Sequence, residues 1–93
     1  MNFYAVACVL DAAAEAMEGD PSLDPDAAVR LAVWGDPEAS YPGDEGTGAE
    51  EFNEAESAIE CYCGWQGNGI QQIPRDEAIA AARAEAARFS GYG

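Results

Sequence analysis

The sequence contains no lysine and no histidine, and its basic side chains are four arginines. Phosphate backbones and anionic lipid surfaces are bound chiefly by Lys and Arg, so DNA, RNA and membranes are excluded as direct partners. The same poverty bears on catalysis. There is no imidazole or amine for proton transfer, no nucleophile-elbow motif and no phosphate loop ending in a basic residue. A carboxylate pair working on a glycoside needs a sizeable cleft, which a chain of 93 residues rarely provides. A non-enzymatic protein with no catalytic residue and no cofactor is therefore expected.

Long apolar runs are also missing, since none approaches the ~20 residues that span a bilayer. The opening stretch to Leu10 is apolar but has no basic residue before it and runs at once into Asp11 and Glu15, unlike a signal peptide. Cysteine is scarce. Three of them leave one unpaired in any intramolecular scheme, which points to a reducing cytoplasm rather than a secreted disulfide scaffold. Cys61 and Cys63 are closer in sequence than zinc ligands usually are, and only Cys8 remains to join them, so no metal site is assigned. The oxygen-rich groups Asp20, Asp24 and Asp26, and Asp44, Glu45 and Glu50, lack the spaced acids and glycine of a calcium loop.

What remains is ample for one fold. At 48% hydrophobic the chain lies outside the class too polar to collapse, and its length makes a single domain over 1–93. Asn2 is a plausible N-cap for a helix over 3–18, in which Phe3, Val6, Leu10, Ala14 and Met17 share a face. The alternative is a short buried strand from Phe3 to Leu10. Asp24-Pro25 pairs an N-cap with proline at the first helical position, opening a helix that Gly35 stops near Trp34. Residues 35–48 read as loop, and at that length the loop is either mobile or functional.

Thr47 and Glu50 have capping-box spacing for a helix carrying Phe52, Ala55 and Ile59 inward. Ile59, Cys61, Cys63 and Trp65 then alternate with polar residues and glycine, the period of a half-buried strand, with the two cysteines on its buried side. Asn68-Gly69 signals a hairpin turn, with Ile70 to Ile73 returning. Asp76 caps a last helix with Ile79, Ala82, Ala86 and Phe89 at core spacing. The expected fold is α+β: a small, mainly helical domain of three to four helices with one β-hairpin. Phe3, Trp34, Phe52, Trp65 and Phe89 are its expected large core residues.

The charge is abnormal in size and in distribution. Eighteen acids give a formal net charge of −14, and 15 of them lie in residues 11–60 with Arg30 as the sole base. Residues 61–93 balance Arg75, Arg83 and Arg88 against Asp76, Glu77 and Glu85. Acidity serving solubility alone would interleave the signs, so segregation points to one polarised face and a basic partner. If 50–60 is helical, its glutamates recur about every 3 Å of axis, close to the ~3.4 Å between charges on a DNA strand. The candidate binding residues are Asp36, Glu38, Asp44, Glu45, Glu50, Glu51, Glu54 and Glu56, with Tyr41 as an aromatic contact among them.

In its size, acidity, lack of Lys and clustered acidic loop-helix segment, the chain resembles the phage-encoded inhibitors that mimic nucleic acid, such as anti-CRISPR and anti-restriction proteins. The resemblance implies docking on a basic nucleic-acid-binding protein or complex, such as a CRISPR effector, with carboxylates where phosphates would sit. Two other readings carry the same composition. One is an acidic module for a different basic protein, and the other is a halophile-type acidic structural protein, whose charge salt would screen.

Overall fold

The computed structural model describes residues 2–64 and 69–91. Four helices follow one another: α1 (Phe3–Gly19), α2 (Pro25–Trp34), α3 (Ala49–Cys63) and α4 (Arg75–Ser90), with a single 3₁₀ turn at Ile70–Gln72. Local chemistry explains most of the boundaries. The Asn2 side chain accepts from the Ala5 N–H at 3.1 Å, and Asp24 Oδ1 accepts from the Ala27 N–H at 2.7 Å, each satisfying a donor left over at a helix start. Pro25 sits where a missing N–H costs nothing, and Gly35 ends α2 with φ of +76°.

Helix α1 packs against all three other helices and most extensively against α4. It contributes Val6, Leu10 and Met17, all fully buried, to a core completed by Val29, Ile59 and Ile70. Both helices bring small side chains into the core: Ala13 and Ala14 of α1, and Ala78, Ala81, Ala82 and Ala86 of α4, are buried. Alanine has the highest helix propensity and the least bulk, so helix formation and close packing draw on the same residues.

The expected hairpin is not formed. Among the described residues there is no strand, and α3 runs straight through Ile59 and Cys61 to Cys63, so the fold is all-helical rather than α+β. Ile59 and Cys63, two apart in the alternation, are also four apart on a helix, and both turn inward from α3 while Cys61 is exposed. The cysteines therefore do not share a buried strand face. Gly64 closes α3 at φ +69°, its N–H reaching the Glu60 and Cys61 carbonyls. Ile70 and Ile73, read as a returning strand, instead anchor the 3₁₀ turn in the core. Asn68 and Trp65 lie outside the described residues.

Two helix starts are also displaced. Gly48 rather than Thr47 precedes α3 and, lacking a side chain, supplies no side-chain cap, while the Thr47 carbonyl accepts from the Trp34 indole N–H at 2.7 Å. Helix α4 begins after Pro74, which leaves Asp76 and Glu77 in its first turn, where their charge favours the helix dipole without capping it. At the rim, Phe3 stacks on Phe89 with ring centroids 5.8 Å apart but stays 38% exposed, so it covers the core rather than filling it.

Candidate interaction surface

The segment 36–48 is long for a connection without helix or strand, and side chains from α2 and α3 hold it in place. Arg30 donates to the Ala39 carbonyl at 2.6 Å near the start of the loop, and Trp34 donates to Thr47 at its end. Between them Tyr41 folds back onto the protein. Its ring lies 5.7 Å from that of Phe52 and 6.5 Å from that of Trp34, and Trp34 and Phe52 are themselves 5.0 Å apart. Gly48 marks how tightly the loop is pressed on α2. A Cβ there would lie 2.5 Å from Val33 Cγ1 and 2.8 Å from Trp34 Nε1, and its φ of +85° is strained for any other residue.

The acids stand on this base in different ways. Asp36, Glu38, Asp44, Glu45 and Glu50 are exposed, and Glu51 and Glu54 are half-buried. Asp36 accepts from the Glu38 N–H at 2.9 Å, a local turn that fixes both residues just beyond α2. Asp44 accepts from the Tyr41 hydroxyl at 2.6 Å, and that hydroxyl accepts in turn from Asn53 of α3 at 2.8 Å. The hydrogen bond to Asp44 holds the Tyr41 hydroxyl above the usual phenol range, since it favours the protonated form. Tyr41 is thus a half-buried pin between loop and helix.

Along α3 the glutamates do not form one line. At 3.6 residues per turn, the five spread over about 220° of the helix circumference. Glu50 and Glu54 point outward near the loop, with Glu51 to one side. Glu56 and Glu60 lie on the other flank, and Glu56 faces α2. No ion pair among the described residues involves Glu38, Glu45, Glu51 or Glu54.

Glu56 belongs to a different chemistry from the rest. It hydrogen-bonds Asp26, and its Oε2 is buried with no donor to meet it. Burial, then the hydrogen bond and charge of Asp26, with a small addition from Glu60, push its pKa up to about 9 against a partial pull from Arg30. Asp26 moves the other way. Burial raises it, but the hydrogen bond from Glu56 and the Arg30 guanidinium, whose Nε lies 2.8 Å from Asp26 Oδ2, outweigh burial and hold it below the ordinary carboxylate value. Burial and the neighbouring Asp26 thus favour the protonated form of Glu56, while Arg30 favours the ionised form of Asp26.

Sequence reasoning singled out nine positions, of which Asp36, Glu38, Asp44, Glu45 and Glu50 are exposed and Tyr41, Glu51, Glu54 and Glu56 are half-buried. It missed the supporting residues Arg30, Trp34 and Asn53. The i,i+4 spacing of Asp26 and Arg30 was a readable signal for their pairing; no local pattern joined either to residue 56.

Among the described residues no three His, Cys, Asp or Glu side chains gather in a metal-ligating group. No helix there is long and apolar enough to cross a membrane. The fold and surface define a class no more specific than a small, strongly acidic helical bundle. No protein family matches the chain, and no curated protein or solved structure does either.

Proposed function

We propose that the chain is a non-enzymatic inhibitor that presents the acids of 36–54 as phosphate stand-ins to a basic DNA- or RNA-binding surface, such as that of a CRISPR effector. The observation that carries this reading is the pinning of the loop. Seven carboxylates project from a backbone tied down by Arg30, Trp34 and Tyr41, so little conformational freedom remains to be lost on docking. A field of this sign steers a basic partner toward the face from a distance and weakens as salt is added.

The test is capture of partners from bacterial lysate on the immobilised protein, with DNA as competitor and Glu50, Glu51 and Glu54 replaced together by Arg. Retention of a nucleic-acid-handling complex that DNA displaces, lost in the triple variant with circular dichroism unchanged, supports the proposal. Capture that ignores both DNA and the reversal removes this segment from the account. A fold that forms only in molar salt would favour the halophile-type reading instead.

A further inference from the structure

Three side chains between α2 and α3 are joined to the acidic loop by a single chain of contacts. Glu56 on α3 meets Asp26 on α2, Asp26 holds Arg30 one turn on, and Arg30 holds the Ala39 carbonyl. The guanidinium carbon of Arg30 also lies 5.0 Å from the centre of the Phe52 ring, the ring against which Tyr41 packs. We infer that Asp26, Glu56 and Arg30 form a proton-held latch that fixes the loop 36–48 on α2 and α3, and that loss of the Glu56 proton loosens it. The latch is a property of the fold and holds whatever partner the acidic surface meets.

The geometry explains the direction. As a neutral acid, Glu56 donates to the Asp26 carboxylate, which leaves Arg30 free to divide its N–H groups between Asp26 at 2.8 Å and Ala39 at 2.6 Å. Once ionised, Glu56 sets a second negative charge beside Asp26 and brings Glu60 on its own helix into the repulsion. It becomes a second carboxylate competing for Arg30, and the N–H most easily drawn away is the one on the neutral Ala39 carbonyl, because a guanidinium is held more strongly by a carboxylate, where both partners are charged, than by an uncharged acceptor. The charged groups acting on Glu56 are Asp26 and Arg30 from α2 and Glu60 from α3.

Carbon-detected NMR of the labelled protein from pH 6 to about 10 reads both ends of the chain at once, the Glu56 carboxyl and the Ala39 carbonyl. The expected result is a Glu56 carboxyl that titrates far above the ordinary range, with the Ala39 carbonyl shift following the same curve. In Glu56→Gln, which keeps a donor toward Asp26 and cannot ionise, the Ala39 shift should stay flat across that range. In Arg30→Met it should sit at the loosened position at every pH. Titration of Glu56 among ordinary carboxylates overturns the proposal, and so does a high titration that leaves Ala39 unmoved. Both readings come from the wild-type protein, so they stand even if a variant fails to fold.

Discussion

The two halves of this molecule treat acidic side chains in opposite ways. Where α1 meets α4, acids are paired: Arg83 of α4 bridges Glu18 and Asp11 of α1 across the seam, and within α4 Arg88 grips Glu85 with two hydrogen bonds of 2.7 and 3.0 Å. Where α2, the loop and α3 meet, Arg30 is the sole cation, and it is spent inside the structure on Asp26, Ala39 and Phe52. The first half pairs Asp11, Glu18 and Glu85 with arginines and closes over alanines. The second half leaves most of its acids outward and secures the backbone beneath them with three aromatic rings. Acidity is thus a surface property of one half, and the aromatic cluster is what lets that half hold its shape against self-repulsion.

The sharpest way to break the comparison is to remove the ring at its centre. Phe52 is 5% exposed and touches Trp34, Tyr41 and the Arg30 guanidinium. Phe52→Ala should cost about 3 to 5 kcal/mol in urea unfolding, the usual range for a buried Phe. It should also raise hydrogen exchange through 36–48 beyond what the global loss explains. A cost near that of a surface residue would mean that the loop is held by hydrogen bonds alone.

How much of this could be read in advance depended on distance along the chain. The caps at Asn2 and Asp24-Pro25 and the stop at Gly35 involve neighbours within four residues, and the sequence displays such chemistry directly. The hairpin was misjudged because Ile59, Cys61 and Cys63 satisfy a strand period and, in part, a helical one. Packing decided between them: Ala55 and Ile59 are buried, and Cys63 reaches the Glu77 carbonyl of α4 at 3.8 Å. The acids of 36–54 were legible as a charged segment. That Tyr41 would pack on Phe52 and that Glu56 would meet Asp26 was not, since the partners lie 11 and 30 positions away.

A smaller effect sharpens the comparison from inside the acidic half. Glu56 holds its proton to about pH 9 when folded and to about 4.5 in an ordinary solvated state, so between these values the folded chain binds more protons than the unfolded one. Its stabilising contribution is fully present below the lower value and is lost as pH rises through the upper one. Asp26, held below its ordinary 3.8, works in the reverse sense and withdraws stability only in stronger acid. Wild-type stability should therefore rise on going from pH 8 to 5. Glu56→Gln should gain on the order of 2 kcal/mol at neutral pH, a figure discounted for partial exposure, and flatten the profile. A profile unchanged by the substitution would place the pH dependence in the summed surface charge.

The smallest expected effect lies across the molecule, at Arg83. Its pairs with Glu18 and Asp11 are half exposed, and water and salt screen such bridges while ordering two long side chains opposes them. Arg83→Met keeps the alkyl stem over the seam and removes the charge. Its unfolding midpoint should stay within the scatter of the wild type at physiological ionic strength, with a loss emerging only as salt is lowered and Asp11, Glu15 and Glu18 repel unscreened. A large loss at physiological salt would mean that pairing, and not the packing of the buried residues of α1 and α4, holds the two helices together. The two halves would then differ in the number of their cations rather than in how they are built.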